Sequence, residues 1–204
     1  MPVAALTSEP DPMSPPKPWK VVASKLERHF RIFNIRTDAA VSPRTGRTHE
    51  FFILESAPWV NVIPLTAKQE VVLVRQYRHG IRQNTLEIPG GLVDPGDTPD
   101  RAALRELREE TGYSGSDPRH IGTVHPNPAI LDNVCHTYVV NDVQPNHSQA
   151  MDDKEDIEVL LRPLADIPGL IADGSIDHAL VLCAFLYFFQ RDRTDLLATC
   201  GAGK

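Results

Sequence analysis

Val71-Val72-Leu73-Val74 is a continuous apolar run. Four consecutive apolar positions, three of them β-branched, predict a strand buried on both faces rather than an amphipathic helix. The flanking pattern predicts strands at Trp59–Thr66 and Glu70–Tyr77, joined as a hairpin entering the main core. Leu86-Glu87-Ile88-Pro89 leads into a glycine loop at Gly90-Gly91, and Pro95-Gly96 marks a further turn. Further strands are predicted at Arg119–His125, Val134–Asn141 and Ile157–Arg162. Upstream, Lys20–Ser24, Phe30–Arg36 and Glu50–Leu54 read as three short strands, with a turn at Pro43–Arg47. Three such strands alone are marginal and need covering by the main body or a second chain.

The rhythm changes after Thr98. Thr98 is placed to cap a helix, Pro99 suits its first position, and Gly112 is placed to end it. Between them Ala103, Leu104, Leu107 and Thr111 form a less polar side. Asp166 is placed to cap a short helix ending near Gly174, and Ser175 begins a last helix to about Arg191. Its apolar run, Ala179–Phe189, is about half of a membrane span and reads as a buried helix. Strands on both sides of a central helix, with a closing helix, predict an α/β/α sandwich around a mixed sheet, plus a small N-terminal antiparallel β subdomain. The expected division is a proline-rich disordered arm at 1–17, the β subdomain at 18–57, the main domain at 58–195 and a tail at 196–204.

Composition narrows the function. A net charge of −6 over 204 residues argues against general nucleic-acid binding. Cys135, Cys183 and Cys200 are few and scattered, which suits reduced thiols in a cytoplasm. The first residues show no secretory signal, and no run is long enough for a membrane span.

The helix also carries chemistry. Glu106, Glu109 and Glu110 stand three and four apart and share one side. Clustered carboxylates repel one another, and a hard divalent cation would offset that repulsion. The other reading is a solvated acidic face with pairs such as Arg105 to Glu109. With the glycine loop in front, the stretch resembles the Nudix box. Gly91, Arg105, Glu106, Leu107, Glu109, Glu110 and Gly112 match that motif at its spacing, with Tyr113 in the last, loosely hydrophobic place. Asp97 stands where the family has Glu, one methylene shorter.

The resemblance implies the same sandwich fold and a metal-dependent hydrolase. It implies Glu106, Glu109, Glu110 and the backbone carbonyl of Gly90 as ligands for Mg2+, with Mn2+ as a substitute, and Arg105 as the residue that orients the glutamates. In the enzymes that this chain resembles, the general base often comes from a late loop. Asp152, Asp153, Glu155 and Asp156 occupy such a loop, with Glu155 the first candidate, Asp153 the second, and a box glutamate such as Glu109 the alternative. Val71–Arg78, Leu86–Gly91 and Pro128, fifteen residues beyond Tyr113, resemble the ADP-ribose pyrophosphatase group. That implies substrate contacts at Arg78, Glu87, Gly91 and Pro128; for Arg78 the alternative is an ion pair with Glu87. Trp19, Phe30, Phe33 or Trp59 could stack on a base, although core packing is the commoner role. His125 and His136 read as structural rather than as ligands.

The implied function is hydrolysis of the diphosphate of ADP-ribose or another nucleoside diphosphate sugar, to a nucleoside monophosphate and a sugar phosphate. The protein would be a cytoplasmic homodimer, swapped through the N-terminal strands, without nucleic-acid or membrane partners. The rival readings are a non-catalytic nucleotide-sugar sensor and a nucleotide or RNA pyrophosphohydrolase.

Overall fold

A computed structural model of the chain describes residues 15–151, 153 and 156–197. Most of the expected arm and tail lies outside the described residues. The chain divides into two compact units. The first comprises the described residues up to Ser56 together with Ala129–Asp132; the second comprises Ala57–Pro128 and the described residues from Asn133 onward.

In the first unit, β1 (Lys20–His29), β2 (Asn34–Val41) and β3 (Thr48–Glu55) form an antiparallel sheet in that order. The sequence placed the start of the second strand at Phe30. Instead β1 continues to His29, and the chain turns where the Phe30 N–H donates to the Phe33 carbonyl at 2.9 Å. Leu54 forms an isolated parallel bridge with Leu131, which joins residues 129–132 to this unit.

The second unit contains β4 (Trp59–Pro64), β5 (Glu70–Arg78), β6 (Gln83–Glu87), β7 (Gly90–Leu92), β8 (Tyr113–Ser114), β9 (Arg119–Val124), β10 (Cys135–Val140), β11 (Gln144–Pro145) and β12 (Ile157–Pro163). Its helices are α1 (Pro99–Thr111), α2 (Ile167–Ala172), α3 (Ala179–Asp192) and α4 (Thr194–Leu197). One sheet runs β7-β4-β10-β9, with β4 and β10 parallel and the other pairs antiparallel; a second runs β12-β5-β6. β8 and β11 make a small separate pair.

The expected hairpin of β4 on β5 is corrected here. The two strands lie in different sheets and touch by ladder only through the isolated bridge Leu65 to Val71. The reason is an occupied edge: β10 pairs along one side of β4 and β7 along the other. β5 pairs with β6 and β12 instead.

Strand alternation sorts the apolar residues into two cores. Val60, Val62, Val72, Tyr138 and Val140 join Ala102, Ala103 and Leu107 of α1. Ile63, Val71, Leu73 and Val139 join Phe185, Phe188 and Phe189 of α3. The sheets are thus covered on both faces, which is why Val71–Val74 has no polar position; all four are fully buried. Each such side chain contributes roughly 1.5–3 kcal/mol relative to exposure.

Helix α1 begins and ends as its sequence dictates. Thr98 is the N-cap residue, though its side chain makes no cap bond, and Pro99 follows it. Gly112 closes the helix at φ 73°, donating to the Arg108 carbonyl. The last long helix starts at Ala179, not at Ser175. Residues 175–178 are used to bury Ile176, whose N–H donates to the Leu170 carbonyl at 2.8 Å. Among the described residues, no helix is long and apolar enough to cross a membrane.

Candidate active site

The two glycines expected to form a loop form β7 instead, with Gly90 opposite Asn61 and Gly91 opposite Val60 on β4. The requirement is close approach rather than a turn. A Cβ on Gly90 would lie 2.3 Å from the Val60 carbonyl oxygen, and one on Gly91 would lie 2.4 Å from Glu106 Oε1. β7 therefore presents bare backbone to the acidic side of α1.

The carboxylates meet this backbone in order. Glu110 is 4 % exposed, and its Oε2 accepts the Gly90 N–H at 3.0 Å. Arg105 Nη1 donates to Glu106 Oε1 at 2.9 Å and to Glu109 Oε2 at 3.1 Å. Arg105 Nη2 donates to the Leu92 carbonyl at 3.0 Å, so the same guanidinium ties β7 to α1. Burial works against the Arg105 charge, but Glu106, Glu109 and Asp94 outweigh it and raise its pKa further.

Asp97, the departure from the motif, shows what the missing methylene changes. Its Oδ1 accepts the Thr98 N–H at 2.9 Å, so it holds the start of the helix. Its Oδ2 stops 3.8 Å from Arg105 Nε, and that buried nitrogen has no hydrogen-bond partner among the described residues.

Glu106, Glu109 and Glu110 supply hard oxygen donors on one side of α1, the donor chemistry that a hard divalent cation takes. Among the described residues, no three carboxylate, histidine or cysteine groups already converge as a ligand set. Arg105 holds the first two glutamates and the Gly90 N–H the third. Because all three stand on one helix face, rotation of side chains, with no movement of α1, is what convergence requires. The residues fit such an ion.

A second polar cluster lies where β5, β6 and the start of α3 meet. Arg78 Nε and Nη2 donate to the two oxygens of Glu87 at 2.7 and 2.6 Å. Thr85 donates to Glu87 Oε1 at 2.5 Å, and His178 Nδ1 lies 3.4 Å from Oε2. Burial works to raise the Glu87 carboxyl, but the bonds and charge from Arg78, with Thr85 and His178, hold it below the usual carboxylate range. The hydrogen bond to Glu87 raises Arg78, and the charge of Glu110 adds to this. The ion pair considered for Arg78 is therefore present.

The remaining candidates are less gathered. Asp153 and Pro128 are exposed; Glu155 and Asp152 lie outside the described residues. His136 shares the Thr123 hydroxyl with His120, each at 2.9 Å. Trp19 packs edge-on against His49 and Phe51, and Phe30 lies at a tilt of 32° against Phe33.

Sequence reasoning missed Gln149 and Ala150. Gln149 Nε2 donates to the Glu110 carbonyl at 2.7 Å and to the Ile157 carbonyl at 3.1 Å. The Ala150 N–H donates to the Glu109 carbonyl at 2.8 Å. These bonds dock the segment before Asp153 on the last turn of α1. An amide side chain in a polar run gives no signal of such a long-range bond.

Comparison with known proteins gives a consistent picture. The NUDIX domain family matches residues 56–185. An ADP-ribose pyrophosphatase from Bacillus subtilis (strain 168) is 27% identical over 143 residues, 70% of this chain and 77% of that protein. A methanol dehydrogenase activator from Bacillus methanolicus is 30% identical over 166 residues, 80% of this chain and 89% of that protein. A solved structure described as an ADP compounds hydrolase superposes with a TM-score of 0.76 at 21% identity, over 88% of this chain and 99% of that one.

Proposed function

This chain belongs to the Nudix family and is a hydrolase, and from that premise we propose that it cuts the diphosphate linkage of ADP-ribose or a related nucleoside diphosphate sugar. The products are a nucleoside monophosphate and a sugar phosphate. The observation that carries the reading is the seating of the α1 carboxylates against the bare backbone of Gly90 and Gly91. The substrate class is supported by the name of the Bacillus subtilis relative.

Nudix hydrolases generally use a divalent metal. Here Glu106, Glu109, Glu110 and the Gly90 carbonyl would hold Mg2+, with Mn2+ as a substitute. A bound cation neutralises diphosphate charge and lowers the pKa of its water. Arg105 orients Glu106 and Glu109 through Nη1. Arg78 takes the diphosphate, beside Gly91 and Pro128. The attacking water gives its proton to a carboxylate within hydrogen-bond reach, Asp153 or Glu109 among the described residues.

The reading assigns catalysis to residues 58–195 and dimerisation to residues 18–57. In the first unit, every residue of β1 is exposed, and Val21, Val22, Leu26 and Phe52 are each more than half exposed. An apolar face of this kind on a small unit supports a protein interface, for which we propose a second copy of the chain. Light scattering after gel filtration is expected to give twice the mass of one chain; a single-chain mass at micromolar concentration would remove the dimer. Cys135 is a free buried thiol, pushed up to about 12 by burial and by Cys183 beside it. It suits a packing role in a reducing cytoplasm.

A second reading is favoured by the other relative, named for activating a dehydrogenase: a nucleotide-sugar binder that acts on a partner enzyme. Product release from ADP-ribose, ADP-glucose, GDP-mannose, UDP-glucose and ATP, with magnesium and with chelator, separates the two. Magnesium-dependent monophosphate from ADP-ribose or from several diphosphate sugars is the expected result. Binding of these compounds without turnover would leave the second reading.

A further inference from the structure

We infer that Glu87 is a positioning residue that acts through Arg78: with Thr85 it fixes the guanidinium so that its outer edge faces the substrate diphosphate, and it makes no contact with the ligand itself. The inference rests on the reading that this site takes a nucleoside diphosphate.

Three observations carry it. First, Glu87 is 2 % exposed, whereas the Arg78 side chain is 44 % exposed, so only the arginine can be met from solvent. Second, the carboxylate is fully committed. Both oxygens take the Nε–Nη2 edge of Arg78, and Oε1 also accepts from Thr85. Third, that geometry uses one edge of a planar fork and leaves the other. Among the described residues Nη1 has no protein partner, so the Nη1–Nη2 edge can offer parallel N–H groups to two phosphate oxygens.

The local sequence explains the clamp. Thr85 and Glu87 are two apart on β6 and share a face. β6 pairs with β5, with Glu87 opposite Val74 and Gln83 opposite Arg78, so the Arg78 side chain must reach back along the hairpin to meet Glu87. A long flexible side chain held at both ends of its fork edge loses its rotamer freedom before ligand arrives, which favours binding. A carboxylate exposed at the same place would instead repel a diphosphate; Arg78 lies between them.

The test is a double-mutant cycle read by calorimetric titration of ADP-ribose in chelator, with melting temperatures for every variant. Glu87→Gln is expected to weaken binding about tenfold and Thr85→Val about threefold, because hydrogen bonds to a charged group are lost or weakened. In an Arg78→Gln background, adding Glu87→Gln is expected to change affinity less than about twofold, since its effect runs through the missing arginine. A residue that merely supports the fold would lower the melting temperature in both backgrounds and show no such coupling. If Glu87→Gln does not fold, Thr85→Val and its double variant with Arg78→Gln carry the same cycle. Additive effects, wild-type affinity in the single variants, or no binding of ADP-ribose by the wild type would overturn the inference. Hydrolysis measured alongside with magnesium separates the two readings: binding with the expected coupling but without turnover removes the proposed reaction and keeps the role of Glu87.

Discussion

A Glu110→Gln variant is expected to keep the fold and to lose about a thousandfold in kcat for magnesium-dependent hydrolysis of ADP-ribose, roughly 4 kcal/mol of barrier. The substitution is nearly isosteric. Glu110 is buried, and its Oε2 accepts the Gly90 N–H; the amide oxygen of a glutamine can accept the same bond, so the tie between α1 and β7 survives. What disappears is one negative charge at the position best fixed by backbone. A hard cation bound through carboxylates depends on that charge more than on shape. Removing one of three like charges from a helix face also relieves repulsion, so the melting temperature is expected to stay within about 3 °C of the wild type. Glu109→Gln, at a more exposed carboxylate bonded to Arg105, is expected to act in the same direction. Steady-state rates across a magnesium titration check both. Wild-type rates in these variants would mean that the acidic side of α1 is not the metal face.

That side of α1 was legible in the sequence because everything that makes it is local. Spacing of three and four on one helix, a cap at each end and an apolar opposite side are contained in residues 98–112. The doubly buried strand at Val71–Val74 was legible for the same reason: four apolar positions in a row leave no face for water. Pairing was not legible. Nothing in residues 59–77 says that β10, more than seventy residues away, takes the edge of β4 that a hairpin partner would have used. Gly90-Gly91 carried an ambiguous signal, since a pair of glycines serves a turn and a close approach equally well; the opposing strand decided it. The docking of Gln149 on the end of α1 and the approach of His178 to Glu87 are likewise long-range facts, whereas the pair of Arg78 with Glu87, on neighbouring strands nine residues apart, was already open to a reading of the sequence. Asp97 lies between these cases. Its shorter reach was visible, but that it would hold the Thr98 N–H and leave Arg105 Nε without a partner among the described residues depends on the bend of the loop.

The paired glycines give the second large effect, and they are expected to behave differently although they are neighbours. In Gly90→Ala the new methyl meets the backbone carbonyl oxygen of Val60 at 2.3 Å. Val60 is 1 % exposed on a strand paired on both sides, so that oxygen has nowhere to go. Either β7 leaves β4 or the sheet distorts, and the expected cost is about 3 kcal/mol, the upper end of the usual overpacking range. For a chain of this size that lowers the melting temperature by roughly 6–12 °C. In Gly91→Ala the methyl meets Glu106 Oε1 at 2.4 Å. That atom is the end of a side chain that can rotate, so the fold yields cheaply, with less than about 1 kcal/mol expected. The carboxylate is pushed off the backbone and out of the Arg105 fork, and a displacement of about 1 Å at a catalytic ligand is enough for about a hundredfold loss of rate. Thermal melts and steady-state rates on the two variants therefore separate fold from site: a large melting loss for Gly90→Ala, and a rate loss at near-wild-type stability for Gly91→Ala. Equal melting losses in both would mean that β7 is held only as a strand, and that Glu106 does not depend on bare backbone at Gly91.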